Sequence, residues 1–185
     1  KYWMHVGRVD MGKVKMSKSL GNDIKIKNLL NQYDGYSYRL MLLAHHYRMP
    51  FSFSEELIEQ YQKSYDKISY TLNKWAFSCS LNEITDKSVD EEQIEQFKGY
   101  MNDDFNTPLV VTQLENLNKE LNKTGDYGVF RAMLVILNIL GIEPKINHPS
   151  KDDIEIYQRW DHARKNKDFA TADTLRQHLA IKGWI

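Results

Sequence analysis

Two lysines and two serines lie within five residues near the start of the chain, and their side chains suit an anionic ligand. Lys15 and Lys18 can present two ammonium groups from one loop, while Ser17 and Ser19 add hydroxyl donors. Lysine acts toward phosphate groups as a compact point charge. No apolar periodicity runs through this stretch, and the Gly21-Asn22 pair that follows is typical of a bend. These residue types indicate a site for a di- or triphosphate, and a solvated basic turn is the alternative.

Length and composition narrow the classes of protein to which the chain can belong. A chain of 185 residues can form one domain or two small ones. Its 25 basic and 25 acidic residues cancel, so any nucleic-acid binding must come from a local face. The single Cys79 excludes an intrachain disulfide and a multi-cysteine metal site. No apolar run has the length of a membrane span and no signal-peptide pattern opens the chain, so we expect a cytoplasmic protein without a membrane partner.

The spacing of the apolar residues predicts a mostly α-helical protein. A long helix is expected after Ser54, because Glu55 and Glu56 in its first turn complement the helix dipole. Thr107 is expected to cap a later helix with Pro108 at the first helical position. Other helices are expected over Ile26–Tyr33, from about Tyr38 to before Pro50, through Ile94–Met101, over Tyr127–Leu140 up to Gly141, through Ile154–Trp160, and from the Asp168 cap to Gly183.

Two stretches are expected to be non-helical. Residues 2–10 form a strand-like run of bulky side chains that leads into a polar turn over residues 10–13. Residues 78–90 are polar and aperiodic, which indicates a linker. The sum is an antiparallel helical bundle with a small non-helical remnant at its front. The chain opens without Met on an aromatic run, and we expect both of its ends to be cut from a larger protein.

Several blocks of sequence in a fixed order resemble one enzyme family. The pentapeptide Lys15-Met16-Ser17-Lys18-Ser19 is similar to the signature loop of class I aminoacyl-tRNA synthetases. The whole set resembles the C-terminal part of a bacterial-type cysteinyl-tRNA synthetase, and the resemblance covers nearly the whole chain. The further blocks are Tyr2–His5, Leu29-Leu30 with Tyr33-Asp34, Ala44–Arg48, Phe53–Glu56, Asp103–Pro108 and Ala163–Asp173.

The resemblance implies a division of the chain into three parts. Residues 1–22 would end a Rossmann-type α/β catalytic domain, residues 23–80 would form a stem-contact helical region, and residues 81–185 a helical tRNA-binding domain. The family's H-I-G-H-type nucleotide-binding loop and its zinc ligands belong to a part N-terminal to Lys1. We therefore expect zinc in the full-length enzyme, no metal ligand in this chain, and no complete reaction by this chain alone.

The same resemblance implies a reaction and roles for the loop residues. Cysteine and ATP would give cysteinyl-adenylate and pyrophosphate, and cysteine would then pass to the 3′ end of tRNA(Cys). Lys18 would be the principal ATP contact and Lys15 would assist it, so both are assigned as catalytic. Ser17, Ser19 and Met16 would complete the ATP-binding loop. Charge that builds on the leaving pyrophosphate is the feature these lysines would stabilise.

Two further sets of residues are weaker candidates. His5 and Trp3 would line the cysteine pocket by resemblance, although packing at the end of a core strand is an equal alternative. His45 and His46 are not expected to bind a metal, because adjacent helical residues point in different directions. Four basic side chains near the last helix–helix turn could contact tRNA phosphates, or form a solvated surface with the interleaved aspartates: Arg159, Arg164, Lys165 and Lys167.

The chain departs from the family pattern at two places. Lys25 stands where the family usually has a hydroxyl residue that would cap a helix, and Gly35-Tyr36 replaces a usual Pro-Glu.

Two other functions compete with the synthetase. A cysteine ligase of the same ancestry that joins cysteine to an amino sugar would share the lysine–serine loop, but it would not need the Ala163–Asp173 block. A non-catalytic RNA-binding module is the other alternative. We expect a monomer.

Overall fold

A computed structural model describes residues 1–12 and 14–185, so Lys13 of the predicted polar turn lies outside the described residues. The architecture is mostly α-helical with one small sheet, which confirms the predicted fold class. The strands are β1 (Val9–Met11), β2 (Val14–Lys15) and β3 (Phe51–Phe53), and the helices are α1 (Ile26–Leu29), α2 (Gly35–Leu43), α3 (Glu55–Leu81), α4 (Glu91–Asn102), α5 (Thr107–Thr124), α6 (Tyr127–Ile139), α7 (Lys151–Lys165) and α8 (Phe169–Ile181).

The sheet has the strand order β2-β1-β3. β1 pairs with β2 in antiparallel fashion, with Asp10 opposite Lys15, and with β3 in parallel, with Val9 opposite Phe51. The predicted strand over residues 2–10 is wrong for residues 2–8, because a run of bulky residues becomes a strand only where a neighbouring backbone pairs with it. Only the end of this run has such neighbours among the described residues. Strand β3 was missed because three residues carry too little pattern.

The chain divides into two compact units, and the boundary falls within α3. The first unit comprises residues 1–67 and 89–143, and the second comprises residues 68–88 and 144–185. In the first unit, the apolar stripe predicted for α5 is buried throughout: Val110, Leu114, Leu117 and Leu121. A second cluster, of Leu29, Met41, Phe53 and Ile58, lies where β3 and α1–α3 meet within this unit.

The caps of α1 and α3 follow the sequence. The Leu57 backbone N–H donates to Ser54 Oγ at 3.2 Å, which confirms the predicted start of α3. Lys25 gives α1 no side-chain cap, as expected for a residue without an acceptor, and α1 is only one turn long instead of reaching Tyr33. α3 continues to Leu81, so the predicted linker is wrong over residues 78–81. At this end of the helix, Leu81 packs against the aromatic cluster of the second unit.

The start of α5 differs by one residue from the prediction. Asn106 is the N-cap and Thr107 is the first helical residue, so Pro108 does not occupy the first position. Asp104 and Phe105 both have left-handed backbone conformations, with φ of 51° and 53°, and they turn the chain before the helix begins. Thr107 is buried, which is a packing position that its capping propensity did not indicate.

The second unit is built on α7 and α8 and on an aromatic cluster. Phe77 stacks on Trp184 with ring centroids 4.6 Å apart, and Trp160 is buried with them. Asp168 accepts a hydrogen bond from the Thr171 backbone N–H, which confirms the predicted cap of α8. Ser150 and Asp153 form a capping box at the start of α7 that the sequence analysis did not identify. Gly183 has a φ of 70°, as a residue that ends a helix often does.

Candidate functional site

The lysine–serine loop is a closed turn whose two ends are joined by one asparagine side chain. Asn22 Oδ1 accepts the Ser17 backbone N–H at 2.8 Å, and Asn22 Nδ2 donates to the Lys15 carbonyl at 3.2 Å. A single 3-10 turn over Lys18–Leu20 follows, and it ends at Gly21 in a left-handed conformation with φ of 66°. Glycine adopts this conformation without steric cost, so the loop can reverse there.

Both candidate catalytic lysines point their charge toward solvent. Lys15 and Lys18 are exposed, and neither side-chain ammonium group forms a hydrogen bond or ion pair with another residue in the described part of the chain. Lys15 lies in β2, so its backbone is fixed opposite Asp10, whereas Lys18 begins the 3-10 turn. Two amines without a carboxylate partner remain available to an anionic ligand. Lys18 differs from Lys15 in having no sheet partner.

The serines and the methionine of the loop have different environments. Ser17 Oγ and Ser19 Oγ lie 3.2 Å apart, so one hydroxyl donates to the other in the free loop. Met16 is half-buried and packs against the cluster of Leu29, Met41, Phe53 and Ile58. The methionine therefore anchors the loop to the first unit while its neighbours remain accessible.

The predicted cysteine-pocket residues lie beside a groove in the first unit. Trp3 is 85% exposed and His5 is also exposed, so neither is packed as a core-strand residue within the described chain. Together with Arg48, Asp104 and Phe105 they line a groove of about 900 Å³. The sequence analysis did not single out Arg48 or Asp104 as site residues, because they are far apart in the chain.

The four basic candidates near the α7–α8 turn are all exposed, but they are not equivalent. Lys165 Nζ forms an ion pair with Asp161 at 2.6 Å, so its charge is already neutralised. The Arg164 guanidinium lies over the Trp160 ring, 4.6 Å from its centroid. Arg159 lines a polar groove of about 620 Å³ beside this turn. Lys167 has a left-handed backbone at the turn itself, with φ of 59°.

Residues 1–12 and 14–185 contain no group of three or more histidine, cysteine, aspartate or glutamate side chains arranged to hold a metal ion. His45 Nδ1 lies 2.8 Å from the Met41 carbonyl, and its ring stacks on Phe51. His46 instead lies near Asp104. The described residues therefore offer no site for the zinc ion that the resemblance implies for a part N-terminal to Lys1. In the same described part of the chain, no helix is long and apolar enough to cross a membrane.

Two family models and several curated relatives match this chain. Residues 1–63 match the family model of the class I (C) tRNA synthetase catalytic domain, and residues 96–142 match that of the DALR domain. A cysteine–tRNA ligase from Acholeplasma laidlawii is 54% identical over 185 residues, all of this chain. Cysteine–tRNA ligases from Onion yellows phytoplasma and a Geobacillus strain are 41% and 35% identical over the same full extent.

The chain is homologous to the cysteine–tRNA ligases. The resemblance drawn from the sequence blocks is thereby confirmed. The chain spans 43% of the length of these relatives, so the activity, substrates and partners of a whole ligase enter below as proposals. The predicted division at residues 22 and 80 and the assigned site residues stay predictions.

Two functional candidates escaped the sequence analysis of the loop and the groove. Asn22 was treated as part of a bend, whereas its amide joins both ends of the loop. A short polar side chain after a left-handed glycine is a signal that could have identified it. Asp104 contacts Tyr47 and Arg48, which lie more than fifty residues earlier in the chain. No local sequence pattern predicts a contact over that separation.

Proposed function

We propose that the chain is the C-terminal part of a cysteine–tRNA ligase that activates cysteine with ATP and transfers it to tRNA(Cys). The homology over the whole chain carries this proposal, and the exposed, unpaired amines of Lys15 and Lys18 support it at the level of the site. The other parts of the ATP and cysteine sites would come from the remaining length of the ligase. The chain alone is expected to be inactive, and a cytoplasmic location and a monomeric state stay predictions.

The role proposed for the loop is electrostatic. A carboxylate oxygen of cysteine attacks the α-phosphorus of ATP, the bond from that phosphorus to the bridging oxygen breaks, and pyrophosphate leaves with the bond's electrons. Negative charge grows on the leaving group as the bond breaks. Ammonium groups on Lys18 and Lys15 would meet this charge, and stabilisation that increases toward the transition state raises the rate. Ser17 and Ser19 would redirect their hydroxyls from each other to phosphate oxygens.

Replacement of Lys18 by alanine in the full-length ligase tests this role. We expect Lys18→Ala to lower the rate of ATP–pyrophosphate exchange by about 100-fold or more, as for the loss of one charge-stabilising donor. Lys27→Ala is a matched control, because Lys27 is an exposed lysine of α1 outside the loop. Exchange at the wild-type rate in Lys18→Ala would contradict the role of the loop.

Two other functions make different predictions for the same full-length protein. An amino-sugar ligase would form the same adenylate but would transfer cysteine to the sugar amine and not to tRNA(Cys). A non-catalytic RNA-binding module would show no ATP–pyrophosphate exchange at all. The DALR match at residues 96–142 favours an RNA partner, since that domain is an RNA-binding domain. Charging of tRNA(Cys) with radiolabelled cysteine distinguishes the synthetase from the other two, and ATP–pyrophosphate exchange then separates the amino-sugar ligase from the module.

A further inference from the structure

Asp104 is the centre of a polar cluster that joins two distant segments of the first unit. Its Oδ1 accepts hydrogen bonds from Tyr47 Oη at 2.7 Å and from Arg48 Nη2 at 2.9 Å. Arg48 Nε lies 2.8 Å from Oδ2, and His46 Nε2 lies 3.7 Å from the same oxygen. The hydrogen bond from Tyr47, with those from Arg48, holds the pKa of the Asp104 carboxyl below its usual value. The carboxylate is therefore ionised at neutral pH and accepts three donors from Tyr47 and Arg48.

The backbone around Asp104 is strained in a way that serves these contacts. Asp104 and Phe105 are consecutive non-glycine residues with positive φ, of 51° and 53°. Such conformations are costly for residues with a Cβ and persist where the surroundings impose them, often at functional sites. Exposed ion pairs contribute little to stability, and the Arg48 and Asp104 side chains are 63% and 43% exposed. Net stabilisation by the ion pair is therefore a poor explanation for the strain.

The segment that Asp104 holds is in turn packed against the start of β1. The Tyr47 carbonyl accepts the Gly7 backbone N–H at 2.6 Å, and the Arg8 carbonyl accepts the Phe51 backbone N–H at 3.2 Å. A Cβ on Gly7 would lie only 2.2 Å from the Met49 carbonyl oxygen, so the two backbones cross where no side chain fits. The position of the Tyr47–Met49 segment thus fixes the position of the chain entering β1.

From β1 the contacts continue to the lysine–serine loop. Asp10 of β1 pairs with Lys15 of β2, and the Lys15 carbonyl accepts the hydrogen bond from Asn22 that closes the loop. A continuous series of backbone and side-chain contacts therefore runs from Asp104, before α5, through Tyr47 and Gly7 to Lys15. All of these residues belong to the first unit.

We propose that Asp104 and Arg48 are positioning residues for adenylate formation, which hold β1 and β2 so that the lysine–serine loop meets the leaving pyrophosphate. The inference rests on the proposed function of the loop, and it assigns to the turn between α4 and α5 a part in the ATP reaction. Neither side chain is assigned a contact with the nucleotide. Small displacements of a positioned charge have large effects on rate, so the contact matters for kcat more than for folding.

A double-mutant cycle in the full-length ligase tests the proposal. Asp104→Asn keeps the size of the side chain but removes the charge that holds Arg48, and we expect it to lower kcat of ATP–pyrophosphate exchange by about 10-fold. In a Lys18→Ala background, the same substitution should cost less than about threefold, because the amine that it positions is already absent. Arg48→Gln removes the other partner of the contact. It should also lower kcat by about 10-fold alone and by less than about threefold in the Lys18→Ala background.

The control is Asp103→Asn, which removes the neighbouring exposed carboxylate, whose contact is with the Asn106 side-chain amide at 3.1 Å. It should leave exchange unchanged. Wild-type exchange in Asp104→Asn and Arg48→Gln, or full multiplication of their losses with that of Lys18→Ala, would overturn the positioning role. If Lys18→Ala itself exchanges normally, the proposed function of the loop fails, and the inference fails with it for that separate reason.

Discussion

Asn22 closes the lysine–serine loop through both polar atoms of its side-chain amide. Its amide donates to the Lys15 carbonyl and accepts from the Ser17 backbone N–H, so it replaces two hydrogen bonds that a regular turn would make within the backbone. The side chain is half-buried, and the lysines beside it are exposed. At the scale of single residues, one asparagine thus sets the geometry from which two charges act.

Removal of the Asn22 amide should impair the loop more than the fold. We expect Asn22→Ala in the full-length ligase to lower ATP–pyrophosphate exchange by about 10-fold, because the two loop ends are no longer joined. The free energy of unfolding should fall by no more than about 1–2 kcal/mol, which is the contribution of one or two partly exposed hydrogen bonds. Exchange kinetics and thermal unfolding of the same preparation measure both.

Asn22→Asp and Asn28→Ala are the comparisons for this prediction. Asn22→Asp keeps an acceptor for the Ser17 N–H, but it loses the donor to Lys15 and adds a negative charge beside the lysines, so its rate should fall at least as far as that of Asn22→Ala. Asn28 is an exposed asparagine of α1, and its substitution should have no effect on exchange. Equal rates for Asn22→Ala and the wild type would show that the loop closes without the amide.

At the scale of elements, the α7–α8 pair of the second unit depends on one buried carboxylate. Asp153 is 3% exposed, and its Oδ1 lies 2.6 Å from Lys182 Nζ and 2.9 Å from His178 Nε2. Its Oδ2 accepts the backbone N–H and the hydroxyl of Ser150. Burial alone would raise the pKa of Asp153, but hydrogen bonds from His178, Lys182 and Ser150 outweigh it and hold the pKa well below its usual range.

Asp153→Asn should therefore destabilise the second unit, and the effect should depend on pH. The folded-state pKa is depressed, so the ionised carboxylate contributes stability that is fully present above the unfolded-state pKa of about 3.9. That contribution is lost as pH falls from about 4 toward the lower folded-state pKa. We expect a loss of about 3 kcal/mol at pH 7, typical of a buried ion pair that loses one partner.

Chemical denaturation at pH 7 and at successively lower pH measures this difference in the free energy of unfolding. The gap between wild type and Asp153→Asn should be constant above pH 5 and should narrow below about pH 4. Asp152→Asn is the control, since Asp152 is the exposed neighbour in the first turn of α7. A gap that does not narrow in acid would assign the destabilisation to packing and not to the charge.

The helix ends show how far local sequence determines structure. Ser54, Asp168 and Gly141 were predicted correctly as helix boundaries, because capping and chain reversal depend on a residue and its immediate neighbours. The cap of α5 was displaced from Thr107 to Asn106, since the left-handed turn before it is held from outside the helix. Elements that are decided by distant contacts, such as β3, were the ones that sequence patterns missed.

The same distinction holds for the candidate site. The charge and hydrogen-bonding capacity of the lysine–serine loop could be predicted from five residues, because these properties belong to the side chains themselves, whereas its part in an ATP site stays a prediction. The cluster around Asp104 could not, because Arg48 and Asp104 are joined only by the fold. The exposure of Trp3 also could not be predicted, since bulky apolar residues usually indicate a buried position.

At the scale of the whole molecule, balanced net charge makes a local surface responsible for any binding of RNA. The chain has a formal net charge of +0, yet Arg159, Arg164 and Lys167 are exposed around one turn of the second unit. The aspartates nearest to them are already engaged, Asp161 by Lys165 and Asp168 by the cap of α8. These contacts do not change the net charge of the face, but Arg159, Arg164 and Lys167 have no carboxylate partner among the described residues, so their charges remain exposed to solvent.

Binding of tRNA(Cys) by the full-length ligase should therefore weaken as salt increases, and Arg164→Gln should reduce this dependence. Each phosphate contact that is lost lowers the slope of log K against log salt by about 0.7–0.9. Arg8→Gln is the matched control, because Arg8 is an exposed arginine paired with Asp10 and lies outside the residues predicted to contact tRNA. Filter binding between 50 and 300 mM salt, a range of the order in which such contacts are screened, gives the slopes. A salt-independent affinity would exclude phosphate contacts at this face.

The parallel pairing of β1 with β3 has a consequence for the order in which the molecule can assemble. Val9 is opposite Phe51, about forty residues along the chain, and β2, the lysine–serine loop, α1 and α2 all lie between them. Bringing such distant segments together costs loop-closure entropy of about 3 kcal/mol before any contact is gained. A peptide of residues 9–22 alone would carry the same charges but would lack the pairing of β1 with β3. The geometry of the loop therefore depends on long-range contacts that form late in folding.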